Sequence, residues 1–132
     1  MTRRTPTALR LALLLLVWAA SASAEVDSVL PRDLAKQLAS DTPPVVLDVR
    51  SDPEWNTGHI PGALHIPVGE VESRLAEIPR DRDVVVHCGV APRARAAEAI
   101  LIKSGHGRVQ HLEGGFTAWG AAGLPVATGS SD

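Results

Sequence analysis

The only cysteine of the chain, Cys88, lies at the boundary between two kinds of sequence. The β-branched run VVVHC at residues 84–88 ends on it, and an alanine-rich run begins at Arg93. Between them, Gly89 tolerates unusual backbone dihedrals and Pro92 has no N–H to donate, as expected in a loop. A free cysteine is often a small apolar filler, but this position at the end of a strand favours a reactive thiol.

The charge that follows the loop supports that interpretation. A helix starting at Arg93 would direct its free N–H groups and the positive end of its dipole back toward the sulfur, which stabilises a thiolate. An arginine in the first turn of a helix is disfavoured by the dipole unless an anion lies nearby. Arg93 is therefore a candidate anion-binding residue, although a solvated first-turn arginine is the alternative. For Arg95, a role as a solvated surface residue is as compatible with the sequence as a role in binding an anion.

The segments that must position this loop alternate along the chain. Strands are predicted from β-branched or short apolar segments, and helices from helical spacing or strong helix formers. The predicted strands are residues 26–30, 45–49, 63–66, 84–88 and 108–112, and the predicted helices are residues 31–40, 70–78, 93–105 and 114–123. This alternation predicts an α/β fold, with a mostly parallel five-stranded sheet flanked by helices on both faces. Cys88 then lies at the carboxyl edge of the sheet, where such folds bind ligands.

The first 24 residues have a different character from the rest. They combine three arginines, the short apolar run LALLLLVWAA at residues 11–20 and a small-residue end at Ala24. These are the parts of a secretory signal peptide, so we expect a signal peptide at residues 1–24 and one domain at residues 25–132, periplasmic or secreted. An uncleaved membrane anchor is an alternative. A twin-arginine signal fits less well, because Arg3 and Arg4 are followed by Thr-Pro-Thr.

Charge and composition exclude several classes of partner. The chain of 132 residues has a net charge of −2, and loss of residues 1–24 would leave ten Lys and Arg against 15 Asp and Glu, a net of −5. An acidic domain does not favour binding to nucleic acid, or to a membrane once a signal has been cleaved. One cysteine and scattered histidines predict neither an internal disulfide nor a metal site.

Three stretches together resemble the signatures of the rhodanese family, the single-domain sulfurtransferases. They are HCGVAPRA around Cys88, LDVRSDPEWNTGHIPGALHIP at residues 47–67 and HLEGGFTAWGAAGLPV at residues 111–126. The resemblance covers essentially all of residues 25–132, with the motifs in the expected order and spacing. It implies a single rhodanese-like domain.

The resemblance also implies a double-displacement reaction. The Cys88 thiolate would attack the outer sulfur of a small anionic donor such as thiosulfate, release sulfite and carry a persulfide. Cyanide or a thiol would then accept that sulfur, with no cofactor or metal, and a protein persulfide is another conceivable partner. The loop residues would bind the anionic sulfur through backbone N–H groups. These residues are Gly89, Val90, Ala91, Pro92, which closes the loop without an N–H, and Arg93.

The signatures also contain charged, histidine and aromatic residues outside the cysteine loop. By resemblance, Arg50 would help to bind the anionic donor, whereas an ion pair with Asp52 or Glu54 is the structural alternative. Asp48 is expected to accept local hydrogen bonds at a strand end, and His59 to stabilise a turn. His87 should point to the face opposite Cys88 and is therefore a poor general base. The aromatic residues Trp55, Phe116 and Trp119 are expected to pack.

The loop departs from the commonest family pattern at two positions. Ala91 stands where glycine is usual and Ala94 where serine is usual, so an activity lower than the family norm is conceivable. If residue 91 required a positive φ, alanine there would cost about 1 kcal/mol.

Two other functions compete with catalytic sulfur transfer as interpretations of these residues. A cysteine phosphatase needs five residues between cysteine and arginine, but four separate Cys88 from Arg93 and six separate it from Arg95. A non-catalytic sulfur-carrier or binding module fits the same residues, because a carrier could use a protein donor.

Overall fold

The computed structural model describes residues 26–129. The predicted signal peptide at residues 1–24 lies outside this range. In the part of the chain that the structure describes, no helix is long and apolar enough to cross a membrane.

Five strands form one sheet in the order β1-β5-β4-β2-β3, and all four neighbouring pairs are parallel. The strands are β1 (Asp27–Val29), β2 (Val45–Asp48), β3 (Leu64–His65), β4 (Val84–His87) and β5 (Val109–Leu112). Each lies within a segment that the sequence predicted, because continuous apolar, β-branched runs suit strands buried on both faces. The predicted fold class is confirmed.

Three α-helices connect strands and a fourth follows β5: α1 (Pro31–Leu38), α2 (Asp52–Thr57), α3 (Pro92–Lys103) and α4 (Gly115–Ala121). Three of them correspond to predicted helices. The remaining helix, α2, was not predicted. It begins with a capping box, in which the Ser51 side chain and backbone exchange hydrogen bonds with Glu54. This pattern, Ser-x-x-Glu with a nearby proline, was present in the sequence and signals a helix start.

The helix predicted over residues 70–78 is wrong in type. Two 3₁₀ segments, Val68–Glu70 and Glu72–Glu77, occupy this region, with a break in helical geometry at Arg74. Pro79 favours an extended residue before it, and Ile78 has φ −98° and ψ 117°, so the helix cannot continue. Apolar residues of this segment nevertheless pack into the core, since Val71 and Ile78 are buried.

Two apolar clusters cover the two faces of the sheet. One joins Val84 and Val86 of β4 to Ala97 and Leu101 of α3, together with residues of the 3₁₀ region. The other joins Val85 of β4 to residues of α1 and α4, among them Leu34 and Trp119. The alternation of residues 84–86 between the clusters follows from the two-residue period of a strand. A helix starting at residue 92 thus covers the face toward which residues 84, 86 and 88 point.

Candidate active site

The loop of residues 88–91, hereafter the Cys88 loop, connects the end of β4 to the start of α3. β2 pairs with β4 in register, so that Asp48 lies opposite His87. Arg50 follows β2 and therefore lies at the same carboxyl edge of the sheet as Cys88. The structure thus brings the predicted residues to the edge where parallel sheets place their binding crevices.

Cys88 itself is 1% exposed and belongs to the apolar cluster on the α3 side of the sheet. Ala94, one turn into α3, belongs to the same cluster and is fully buried. The side chain of Val90, in contrast, is among the most exposed large apolar groups, with 68% of its surface accessible. The thiol is therefore shielded from solvent, whereas the side chain of the next residue but one is exposed.

The first turn of α4 holds the Cys88 loop from outside. The backbone N–H of Phe116 donates to the carbonyl oxygen of Cys88 at 2.9 Å. The Thr117 hydroxyl and N–H donate to the carbonyl oxygen of Gly89 at 3.0 and 3.3 Å. These contacts satisfy two carbonyl groups of the loop and some of the free N–H groups of a helix start. The signature at residues 111–126 thus holds the loop of the signature around Cys88 in place.

Two carbonyl groups of the loop, those of Cys88 and Gly89, accept hydrogen bonds from α4, whereas the N–H groups that follow Cys88 have no acceptor in the described chain. Within residues 26–129, the structure gives no acceptor to the backbone N–H groups of Gly89, Val90, Ala91 and Arg93. Pro92 contributes none. Four unpartnered donors in a row of five residues, next to a single thiol, form an arrangement suited to an anion.

The guanidinium of Arg93 is held by Glu54 of α2. Its two terminal nitrogens donate to the two carboxylate oxygens at 2.6 and 2.9 Å, and both side chains are 39% exposed. This bidentate contact lowers the pKa of Glu54 to about 2, with a smaller contribution from Ser51. The same contact raises the pKa of Arg93, and a negative charge on Cys88 acts in the same direction. Arg93 thus lies within electrostatic reach of the thiol, but its charge is already balanced.

Arg50 is buried and forms an ion pair with Asp48, a residue that was expected only to accept local hydrogen bonds. Its guanidinium donates to Asp48 at 2.7 Å and to the carbonyl oxygen of Gly58 at 2.7 Å. It also lies 4.0 Å from the centroid of the Phe116 ring, a cation–π contact. This geometry favours the structural interpretation, with Asp48 as partner instead of Asp52 or Glu54. Asp48 also accepts from the Arg50 backbone N–H, as expected for a residue that ends a strand.

His87 is fully buried, and burial lowers its pKa, so the ring is neutral. Its Nδ1 lies 3.2 Å from the carbonyl oxygen of Cys88, which can only accept, so Nδ1 carries the proton. Its Nε2 is then an unprotonated acceptor without a partner, 3.6 Å from the carboxylate of Asp48. His87 contacts the backbone of Cys88 and stacks near Phe116 on the α4 side, opposite the thiol's cluster.

The remaining histidines and aromatic residues have packing roles. His59 bonds through Nδ1 to the carbonyl oxygen of Trp55, and the two rings stack with centroids 3.5 Å apart. His65 stacks on the same indole and bonds to the carbonyl oxygen of Arg50. Trp119 is buried, and its indole N–H donates to Pro125. None of these groups contacts the Cys88 loop in the structure.

Two features of the site were missed by sequence reasoning. Glu54 was considered only as a partner of Arg50, because a contact between residues 39 apart leaves no trace in local spacing. The role of Gly115 was also missed, although two adjacent glycines before a helix signal a special backbone path. Among the described residues, no group of three or more potential ligands could hold a metal ion.

The chain is similar in sequence to known proteins. A family model for the rhodanese-like domain matches residues 30–122. A sulfurtransferase of Allochromatium vinosum is 40% identical over 102 residues, which cover 77% of this chain and 92% of that protein.

Solved structures agree with the sequence relatives. A rhodanese-related protein from Thermoplasma volcanium superposes with a TM-score of 0.70 at 30% identity, over 76% of this chain and 97% of that chain. A thiosulfate sulfurtransferase from Pseudomonas aeruginosa gives a TM-score of 0.73 at 32% identity, over 80% of this chain and 20% of that chain. From its sheet order, its cysteine loop and these similarities, the chain belongs to the rhodanese-like domain family.

Proposed function

We propose that this chain is a sulfurtransferase that carries sulfane sulfur as a persulfide on Cys88. The observation that carries the proposal is the Cys88 loop itself, in which a single thiol is followed by four N–H groups without acceptors in the described chain. The relationship to the Allochromatium vinosum sulfurtransferase supports the same role.

In the first step, the Cys88 thiolate attacks the outer sulfur of the donor. With thiosulfate, a sulfur–sulfur bond forms to Cys88, the bond to the sulfonate sulfur breaks, and sulfite leaves with its electron pair. One thiolate and one dianion give one persulfide anion and one sulfite dianion, so charge and atoms balance. In the second step, cyanide or a thiolate attacks the outer sulfur and regenerates the Cys88 thiolate.

The residues of the loop would act on charge, not on protons. The N–H groups of Gly89, Val90, Ala91 and Arg93 can bind the persulfide anion as an oxyanion hole binds oxygen. No general base is needed when the attacking group is already a thiolate. The neutral, buried ring of His87 contacts only the backbone of the nucleophile, which is consistent with a positioning role.

Access to the sulfur requires movement of the Cys88 loop. The thiol is 1% exposed, whereas Val90 at the tip of the loop is 68% exposed. The carbonyl groups of Cys88 and Gly89 are hydrogen-bonded to α4, so the mobile part is expected to be residues 90–91, whose N–H groups have no acceptor in the described chain. A small donor then enters between Val90 and the start of α3.

A test of the proposal uses mass spectrometry of the purified protein treated with thiosulfate and then with cyanide. We expect an adduct of about 32 Da on Cys88 that cyanide removes, and none on the Cys88→Ser variant. Hydrolysis of para-nitrophenyl phosphate without such an adduct would support a phosphatase and overturn the proposal. An adduct that forms only from a protein persulfide would identify the chain as a sulfur carrier.

We further propose that the domain is exported, on the pattern of residues 1–24. Expression with the full N-terminus in a bacterial host is expected to yield a periplasmic protein whose mass corresponds to a chain starting at Glu25. A full-length product retained with the cells' membranes would support the anchor instead.

A further inference from the structure

The two arginines that the sequence assigned to the site are each paired with a carboxylate, so neither ion pair as a whole offers a net positive charge to a donor. Arg93 is neutralised by Glu54 and Arg50 by Asp48, in each case through direct hydrogen bonds. Arg95, the next arginine of α3, lies 3.4 Å from Glu98. An anionic donor therefore approaches the Cys88 loop without a free guanidinium among these three.

The Arg93–Glu54 pair meets the loop at one place. A Cβ atom built on Gly89 would lie 3.5 Å from the guanidinium of Arg93 and 3.7 Å from the carboxylate of Glu54. A donor passing the residue next to Cys88 thus encounters both charges at similar distances. The attraction of the guanidinium for a dianion is opposed there by the carboxylate.

Glu54 is held firmly in this position. Its carboxylate accepts from the Ser51 hydroxyl at 2.8 Å and from the Ser51 backbone N–H, which completes the capping box of α2. Its pKa of about 2 keeps it ionised throughout the pH range in which sulfurtransferases are assayed. A dianion must therefore compete with a fixed carboxylate for Arg93, and neither movement nor protonation of Glu54 removes the competition.

We propose that Glu54 is a specificity-determining residue that disfavours dianionic sulfur donors and so favours donors with a single charge on the sulfane sulfur. Thiosulfonate and thiol persulfide anions belong to this favoured class, and thiosulfate belongs to the disfavoured one. The inference rests on the proposed sulfurtransferase function, because it concerns the donor that reaches Cys88.

The physical reason is a difference in repulsion. The attacking thiolate carries one negative charge, so its repulsion of a dianion is twice that of a monoanion at the same distance. An unpaired arginine would offset this repulsion, but Arg93 is bound on both terminal nitrogens. Replacing Glu54 by glutamine removes one negative charge and keeps a side chain that supports a capping box.

The experiment compares two donors with the same reacting sulfur and different charge, thiosulfate and benzenethiosulfonate. Both leave a persulfide on Cys88 and release sulfite or benzenesulfinate, respectively. The rate constant for persulfide formation is measured by quenched mass spectrometry in single turnovers, for the wild type, Glu54→Gln and the control Glu72→Gln. Glu72 is exposed and contacts no arginine of the site, so its variant changes net charge equally.

We expect Glu54→Gln to raise the rate constant with thiosulfate by about tenfold and that with benzenethiosulfonate by about threefold or less. Glu72→Gln should leave both rate constants within about twofold of the wild type. Added salt should accelerate the dianion more than the monoanion, because screening weakens repulsion, and this difference between the two donors should be larger in the wild type than in Glu54→Gln.

Two results would overturn the inference while leaving the proposed function intact. One is a ratio of the two rate constants that is the same in Glu54→Gln as in the wild type. The other is an equal fall with both donors, which would mean that Glu54 only positions Arg93. Absence of a Cys88 adduct with either donor in the wild type would instead reject the sulfurtransferase function itself.

Discussion

The backbone of Gly115 lies against the carbonyl oxygen of Cys88, so closely that a Cβ atom on residue 115 would come 2.6 Å from that oxygen and 2.7 Å from that of Gly89. Gly115 also has φ +61°, in the left-handed region that disfavours other residues. This approach lets Phe116 and Thr117 donate to the Cys88 loop. The position of Cys88 therefore depends on a glycine 27 residues further along the chain.

We expect Gly115→Ala to lower the free energy of unfolding by about 2–4 kcal/mol, because positive φ costs about 1–2 kcal/mol and the clash adds to it. Persulfide formation on Cys88 should also slow, since the loop carbonyls lose their donors. Urea unfolding and the mass-spectrometric assay measure the two effects.

The control for this variant is Gly120→Ala in the same helix. No atom lies within 4 Å of a Cβ built at Gly120 and its φ is not positive, so alanine there should be neutral or stabilising by up to about 1 kcal/mol. Equal effects of the two substitutions would contradict the close approach of Gly115 to the loop.

A second prediction concerns the buried pair of Asp48 and Arg50. Asp48→Asn leaves the guanidinium of Arg50 buried without its carboxylate, and should cost about 3–5 kcal/mol in urea unfolding. The comparison is Asp83→Asn, which breaks an exposed contact with Arg108 and should cost about 1 kcal/mol or less. A small effect of Asp48→Asn would show that Arg50 is solvated and available to a donor, as the family resemblance implied.

A third prediction concerns Ala91, where the family usually has glycine. Its φ of −161° is extended backbone that any residue adopts, so the conditional cost of a positive φ does not arise. Ala91→Gly should therefore bring no gain, and should lower the free energy of unfolding by about 0.5–1 kcal/mol through the flexibility of glycine. Faster persulfide formation together with unchanged or greater stability would show that the active loop needs a conformation that alanine resists.

The strands and the place of Cys88 directly after β4 were predictable because they depend on local pattern. Runs such as VVLD and VVVH are bounded by proline, glycine or acidic residues, and their burial on both faces leaves a continuous apolar signature. The start of α3 was predictable from Pro92 and the alanines that follow it. α2 was missed because six residues are too few to show a period, and only its capping box marks it.

The contacts that determine charge at the site could not be predicted in the same way. Arg93 and Glu54 are 39 residues apart, and their contact follows from the parallel pairing of β2 with β4, which brings the segments after the two strands to the same edge of the sheet. The choice of Asp48 as the partner of Arg50 depends on the side chain turning back to the strand end, where Phe116 from α4 covers it. The sequence showed which residues lie at this edge, and packing decided which charges remain free.

The buried, unpartnered Nε2 of His87 makes stability depend on pH. Burial, the largest effect, lowers the pKa of His87 below its ordinary value of 6.5, and the nearby carboxylate of Asp48 opposes this only in part. The unfolded chain then binds a proton more readily than the native protein. The free energy of unfolding should therefore rise with pH up to about 6.5, by up to about 1.4 kcal/mol per pH unit, and this contribution should be lost below that range.

The variant His87→Asn isolates this effect, because an asparagine amide can still donate to the carbonyl oxygen of Cys88 but does not titrate. Unfolding in urea between pH 5 and pH 8 should give a shallower acid-side decline for the variant than for the wild type, whereas contributions common to both proteins, such as the buried pair of His111 and Glu98, cancel in the difference. If the free energy of unfolding of the two proteins changes with pH in parallel, the native protein accommodates a protonated His87, with Asp48 as its ion-pair partner. The ring beside Cys88 is then not held in its neutral form.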